Sequence, residues 1–321
     1  MKILIVDKLS QKAINILTSE NDIEVNIKIG LNEEEIINII SEYDTIIIRS
    51  SHILTKKVIE KAAKLKIIGR AGVGYDNIDV KTATEKGIVV MNAPFGNVNS
   101  AAEHTIAMMF SLSRHIHNAH HSLKRQKKWD KKKYVGVELK NKIIGIIGLG
   151  KIGKIVGEIC KGLKMEVICY DHSISAENME KTGIKKVEFN ELIKTADFIT
   201  LHIPLTEETK NLIDKAQFEI MKDGVRIINV GRGGLINEKS LYEAIKSGKI
   251  FGAAIDVWEK EPCVESPLLE LDEILATPHL GASTIEAQEN VGIDIAHQII
   301  EGLKKGKLIN VVNGVEEIRK V

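Results

Sequence analysis

The sequence has no excess of charge of either sign. Its 45 lysines and arginines meet 44 aspartates and glutamates, a net charge of +1. General nucleic-acid binding leans on a basic surplus, so no nucleic-acid partner is expected. Long apolar runs are also missing. None approaches the roughly 18 residues that a membrane helix needs, so no membrane partner is expected either. The opening MKILIVDKLS reaches Asp7 after a short apolar run, which reads as a strand and not as a signal peptide. Cysteine is scarce. Cys160, Cys169 and Cys263 are too few for a disulfide framework in 321 residues, and a reducing cytoplasm is the expected setting. With 44% hydrophobic residues, a chain of this length can bury the cores of two domains of about 100–200 residues each.

Short apolar strands alternate with helical patterns in two stretches. The first has strands at 2–7, 23–29, 45–49, 66–69 and 88–91, with helices at 12–18, 32–41, 55–63 and 80–86. The second has strands at 143–147, 166–170, 198–202, 226–230, 252–257 and 273–276, with helices such as 151–162, 212–221 and 238–246. One long helical pattern, 100–125, joins the stretches, and a last helix, 284–305, leads into an extended tail at 308–312. This alternation predicts an α/β fold of two doubly wound parallel sheets.

Gly148-Leu-Gly-Lys-Ile-Gly153 is a GxGxxG, weak on its own. Here it follows an apolar strand, opens a helix, and is followed 171 − 153 = 18 residues later by Asp171 at the end of a second strand. Gly148 permits a tight turn, Gly150 lets backbone approach a pyrophosphate, and Gly153 lets helix and strand pack closely. The amides near Lys151 and Ile152 face the phosphates. Asp171 accepts from the ribose hydroxyls and repels a 2′-phosphate. No Arg or Lys follows it, so NAD is expected over NADP.

Three polar residues stand just beyond strand ends, where open α/β sheets bind ligands. Arg232 lies in NVGRGG, Glu261 in DVWEKEP and His279 in TPHLGAST. A guanidinium suits bidentate binding of a carboxylate. A histidine paired with a carboxylate is a general acid/base. Singly, each could be a surface residue.

The pattern as a whole resembles the D-isomer-specific 2-hydroxyacid dehydrogenases, from about residue 47 to 313. IRSSHILT, GRAGVGYDNID, VVMNAPFGNVNSAAEHTIAMM, GIIGLGKIGK, DFITLHIPLT, NVGRGGLI, AAIDVWEKEP and TPHLGAST occur in the family's order. The resemblance implies His279 as acid/base, Glu261 as its partner and Arg232 as the substrate clamp. It implies that Asp256 and the segment from His279 through Gly281 to Ala282 line the nicotinamide, with Ile203, Pro204, Val230, Gly231 and Arg232 beside the cofactor. Val73, where the family often has a hydroxyl residue, and Gly231, where alanine is usual, depart from the pattern. It also implies a discontinuous, flavodoxin-like substrate domain, 1–97 with 291–321, and a Rossmann NAD-binding domain, 98–290, with a cleft between them that closes on the substrate.

Within the family, the implied reaction is NAD-dependent oxidation of D-3-phosphoglycerate to 3-phosphohydroxypyruvate. Glyoxylate, hydroxypyruvate or D-lactate chemistry on the same three residues is the alternative. Relatives acting on formate carry Gln at the position of Glu261. A dinucleotide-sensing corepressor is the alternative of a different class. Ending at Val321, the chain is expected to lack the regulatory domain of longer members and to show no serine feedback. The substrate phosphate is assigned to Arg49, and its carboxylate to amides at Gly72, Val73, Gly74 and Asn97. Arg70 is left equally open between phosphate contact and structural partner of an acid such as Asp76. A homodimer, or dimer of dimers, is expected through helix 100–125. The basic stretch 124–133 reads as solvated surface, with Lys131 near a neighbour's phosphate site as the minority reading. His115, His117, His120 and His121 lack an Asp, Glu or Cys to complete a ligand set, so no metal is expected.

Overall fold

The computed structural model describes residues 1–175, 177 and 182–319. The chain divides into two compact units, Met1–Val98 with Ala282–Val321, and Asn99–Gly281.

The first unit holds five parallel strands, β1 (Lys2–Ile5), β2 (Glu24–Ile27), β3 (Thr45–Ile48), β4 (Ile67–Arg70) and β5 (Val89–Asn92), in the order β2-β1-β3-β4-β5. This is the flavodoxin-like order. The strands are apolar runs because both sheet faces are covered; Thr45–Ile48 is buried at every position. Side chains set where the helices start. Ser10 accepts from Ala13 N, Asn32 and Glu35 form a capping box, and Asp79 accepts from Thr82 N. On one sheet face the helix Ile285–Lys305 packs Val291, Ile295 and Ile299 with Ile47, Ile67 and Val89. Glycine at 69 makes this close approach possible, since a Cβ there would sit 2.6 Å from Ile299 Cδ1. The tail expected as a strand over 308–312 is a single antiparallel bridge, Met91 to Val311, with Val312 N donating to Val90 O.

The second unit holds β6 (Ile143–Ile147), β7 (Glu166–Tyr170), β8 (Lys185–Lys186), β9 (Phe198–Leu201), β10 (Val225–Asn229), β11 (Ile250–Ile255) and β12 (Ile274–Ala276), all parallel, in the order β12-β11-β10-β9-β6-β7-β8. This is the Rossmann arrangement, and the order reverses at β6. The two exposed lysines of β8 gave no sequence signal for a strand.

Two expectations need correction. The helix over 100–125 is two helices, Val98–Ser113 and Ile116–Lys124, broken where His115 turns left-handed at φ 53°. The free Ser113 carbonyl accepts from Val137 N, and Gly136 leaves room, as a Cβ there would lie 2.3 Å from that oxygen. The second domain crossing, expected at 290/291, falls at 281/282, because the last helix belongs to the first unit from its start. Gly96 lies against Val291 backbone, and Gly292 against Ala13. Among the described residues no helix is long and apolar enough to cross a membrane.

Ile299 is fully buried in the helix–sheet core of the first unit. The Ile299→Ala variant is expected to lose about 2–5 kcal/mol of stability, read as a lowered urea unfolding midpoint at unchanged fold.

Candidate active site

The sheet order of the second unit lines up the sequence candidates along one edge. Beyond the carboxyl ends of β12, β11, β10, β9, β6 and β7 come, in that spatial order, His279, then Asp256 and Glu261, then Arg232, then Ile203 and Pro204, then the glycine loop, then Asp171. The reversal at β6 puts that loop at the switch point where such sheets bind nucleotides.

The glycine loop is built for close backbone approach. Gly148 has φ 93°, and a Cβ there would lie 2.5 Å from Ile203 Cγ2 and 2.7 Å from His202 O. At Gly153 a Cβ would lie 2.2 Å from Gly148 O. Gly150 faces open space and starts the helix Lys151–Gly162, and as a glycine it offers no side chain of its own to cap the first amides. That end, with the Lys151 and Ile152 amides, suits a pyrophosphate. Asp171 also has a local duty that spacing does not reveal. Its Oδ2 accepts from Leu149 N at 2.8 Å, and its Oδ1 from Ser173 and Ile174 N at 2.8 and 3.1 Å. A carboxylate has about four acceptor positions, so one remains for a ribose hydroxyl. Burial pushes the His202 imidazole down to about 4, so this ring adds no charge beside the loop.

Asp256 organises the other end. It is fully buried, and its carboxylate collects Thr277 Oγ1 at 2.6 Å, Leu280 N at 2.7 Å, Gly281 N at 2.8 Å and His104 Nε2 at 3.3 Å. Its carbonyl accepts from His279 N at 2.8 Å. The turn 279–281 therefore wraps around one residue, which holds His279 at φ 54°, a left-handed conformation that costs a residue with a Cβ about 1 kcal/mol. Gly281 must be small, since a Cβ there would meet Val230 Cγ1 at 2.8 Å.

The half-exposed His279 ring pairs through Nδ1 with Glu261 Oε2 at 2.7 Å, while Glu261 Oε1 accepts from Trp258 N at 3.1 Å. Burial works against the Glu261 carboxylate. The His279 hydrogen bond and charge and the Trp258 amide outweigh it, so the group titrates below the usual glutamate range. With Nδ1 committed, Nε2 is the nitrogen left to exchange a proton.

Arg232 follows β10, and Asn229 Nδ2 donates to its carbonyl at 2.9 Å. The glycines around it answer to backbone packing. Gly233 exists because a Cβ there would lie 1.8 Å from Trp258 O, and Gly234 turns at φ 79°. Gly231, unusual for the family, sits where a Cβ would be 2.9 Å from Leu201 O.

In the first unit, Arg49 ends β3. Its amide donates to Asp7 Oδ2 at 2.5 Å, and Asn77 Nδ2 holds the carbonyls of Arg49 and His52. Its Nη1 reaches Lys8 O at 3.3 Å, and its Nε is buried with no hydrogen-bond partner among the described residues. Arg70 folds over its own loop, with Nη1 donating to Ala71 O at 3.1 Å and lying 1.6 Å from where a Gly72 Cβ would be. The Gly72 amide is unavailable to a carboxylate because it donates to Arg70 O at 2.8 Å. Val73 carries the loop through its carbonyl, which accepts from Asn92 Nδ2 at 2.6 Å. Asn97 Oδ1 is buried without a partner among the described residues, and Gly74 is half-buried.

The family model for the D-isomer specific 2-hydroxyacid dehydrogenase, NAD binding domain, matches residues 106–281. The chain belongs to the D-isomer specific 2-hydroxyacid dehydrogenase family. Its relatives include the D-3-phosphoglycerate dehydrogenase of Archaeoglobus fulgidus, 48% identical over 98% of this chain and 59% of that protein. Solved structures with the same fold include a glyoxylate reductase from Paecilomyes thermophila, 28% identical with a TM-score of 0.88 over 97% of this chain and 98% of that one. Another is the D-lactate dehydrogenase of Aquifex aeolicus complexed with NAD and lactic acid, 27% identical with a TM-score of 0.85 over 97% and 99%. The chain spans about three-fifths of the length of the curated relatives it matches. The family's domain binds NAD, and the glycine loop at the helix start with Asp171 fits that dinucleotide.

Three supporting residues escaped the sequence reading: Thr277, Trp258 and His104. Thr277 is adjacent to the TPH motif, but His104 lies 256 − 104 = 152 residues from the carboxylate it serves, and no local pattern points to it. The stretch 124–133 is exposed. His115 and His117 line a separate cavity of about 350 Å³ with Tyr134 and Phe251, which shares no residue with the catalytic edge. Among the described residues no three His, Cys, Asp or Glu side chains group as metal holders.

Burial alone raises the Asp256 pKa; the donors from His104, Thr277, Leu280 and Gly281 outweigh it and hold the value below the ordinary one of about 3.9. A carboxyl depressed on folding stabilises the native state above its unfolded pKa, and that stabilisation is lost as pH falls through the folded value. Asp256→Asn leaves at least one amide facing an NH₂ group and is expected to cost about 1–3 kcal/mol at neutral pH. Its melting temperature is expected to fall less steeply than the wild type's below about pH 4.

Proposed function

We propose that this chain oxidises D-3-phosphoglycerate to 3-phosphohydroxypyruvate with NAD. The observation that carries the chemistry is the His279–Glu261 pair, 2.7 Å apart at the carboxyl edge that also bears the glycine loop. The substrate assignment is supported by the relatives at 48–49% identity that bear the name D-3-phosphoglycerate dehydrogenase and by Arg49, whose guanidinium suits a phosphate.

NAD bound at the glycine loop supplies the acceptor for the hydride leaving C2. His279 takes the C2 hydroxyl proton at Nε2. Glu261 fixes the ring through Nδ1 and offsets the imidazolium charge. Arg232 clamps the substrate carboxylate, and Asp256 with 279–282 borders the nicotinamide. Arg49 takes the phosphate; the Asn97 side chain and the amides of Val73 and Gly74 serve the carboxylate end. Cytoplasmic placement goes with this reading, and burial pushes the thiols of Cys160 and Cys169 up to about 12, which keeps them unreactive.

NADH formation with D-3-phosphoglycerate, D-glycerate and D-lactate tests the reading. Turnover is expected to favour the phosphorylated acid, and His279→Ala is expected to lower kcat by about 10²–10⁴-fold. Arg49→Ala is expected to raise KM for D-3-phosphoglycerate at least about tenfold, the worth of one charge-assisted hydrogen bond, with little effect on D-glycerate. Preference for glycerate or lactate would keep the acid/base pair and discard the phosphate assignment. NAD binding without turnover of any 2-hydroxy acid would favour a dinucleotide-sensing binding protein.

The reading includes a homodimer through Val98–Ser113 and Ile116–Lys124, where Phe110, Ile116 and Leu123 are exposed, as is the nearby Trp129. Sedimentation equilibrium is expected to give twice the 35.6 kDa chain mass, and Trp129→Ala to weaken association; a monomer would reject it.

A further inference from the structure

We propose that a cavity at the amino edge of the seven-stranded sheet, lined by Arg226, Lys142 and Lys222, binds a small phosphate-type anion. It lies at the end of β10 opposite to Arg232, and it shares no residue with the catalytic edge or the glycine loop.

Arg226 is the second residue of β10, in register with Phe198 of β9, so both side chains lie on the same sheet face. It is only 8% exposed. Its guanidinium carbon lies 3.7 Å over the Phe251 ring and 5.7 Å over that of Phe198. This stacking accounts for the faces of the guanidinium but not for its edge. Along that edge Nη1 reaches Gly224 O at 3.4 Å, the outer limit of a hydrogen bond, and Nε is buried with no partner among the described residues. A buried charge is normally both paired and hydrogen-bonded, because desolvation is costly. Burial accordingly pushes the Arg226 pKa down, with Asp197 acting against it.

Among the described residues, the carboxylates that line the cavity make their hydrogen bonds elsewhere. Asp197 Oδ1 accepts from Lys222 Nζ at 3.1 Å, and its Oδ2 accepts from Ile143 N at 2.8 Å. Asp223 is turned to Lys249 Nζ at 2.7 Å. Lys142 also lines the cavity. The lining of the cavity, about 160 Å³, pairs Lys222 with Asp197, while Asp223 is paired outward with Lys249, which leaves Arg226 and Lys142 as the cations available to an anion. The apolar walls are Val137, Phe198 and Val225. A buried planar fork with the Lys142 ammonium on the same cavity matches a tetrahedral oxyanion.

The test uses methyl-labelled protein saturated with NADH, so that the glycine loop does not compete, and follows the Val137 and Val225 methyl resonances during titration with inorganic phosphate. Saturable shifts at both valines are expected, weakened about tenfold by Lys142→Gln, the loss of one charge-assisted contact. Lys142 is less buried than Arg226, so this variant keeps the test valid even where Arg226→Lys fails to fold. A parallel titration with glycerol 3-phosphate assigns the source: tighter binding than phosphate marks a phosphomonoester site, and weaker binding a free-phosphate site. Valine resonances that do not move, or that drift without saturation and equally in Lys142→Gln, overturn the proposal.

Discussion

One buried carboxylate sets the geometry of the catalytic edge. Asp256 is removed from water, and a charge in that position persists only when its acceptor sites are filled. They are filled by a helix side chain, a threonine hydroxyl and two consecutive amides of the loop after β12. The amides make the arrangement a folding constraint, because the loop meets the charge's demand only by turning around it. His279 stands at the start of that turn, in a backbone conformation it would not choose alone. The helix Val98–Ser113, through His104, belongs to the same network, far from it in sequence.

Glu261 is tied to the same anchors. It follows β11, as Asp256 does, and Trp258 between them donates its amide to Glu261 and its indole N–H to Thr277 O at 3.1 Å. Thr277 in turn donates to Asp256. Both members of the His279–Glu261 pair therefore rest on one connected set of hydrogen bonds, which limits the freedom of either to drift from 2.7 Å. The neighbouring loops come close enough to share this set because Gly231, Gly233 and Gly281 remove side chains where backbone meets backbone. Glycine here is a packing requirement more than a source of flexibility.

Much of this was legible in the sequence, for identifiable reasons. Parallel strands buried on both faces appear as uninterrupted apolar runs, so β3, β6 and β9 could be placed closely. The glycine loop is local, with strand, turn, helix and acid within a short span, so its residues could be assigned by spacing. Arg232, Glu261 and His279 stood out as strand-end residues, but it was the family resemblance that joined them, since spacing left each ambiguous. Long-range support was hidden. Nothing near His104 announces that it faces Asp256, and nothing near Asp171 announces that it first holds the Leu149 amide. The helix break at His115 was missed because the residues on both sides favour helix, and the competing bond from Val137 to Ser113 comes from more than twenty residues away. Arg226 read as an ordinary strand residue, because burial of its guanidinium depends on the rings of Phe198 and Phe251 on neighbouring strands.

In the proposed reaction, the edge bearing His279, Glu261 and Arg232 moves a hydride from C2 of a phosphorylated 2-hydroxy acid to NAD. The most direct measurement is the fate of deuterium from D-3-phosphoglycerate labelled at C2, read by NMR of the NADH formed. The account predicts one deuterium at the nicotinamide C4 for each 3-phosphohydroxypyruvate produced, and almost none formed in the same time by His279→Ala. NADH without deuterium, or bound NAD with no transfer, would contradict it.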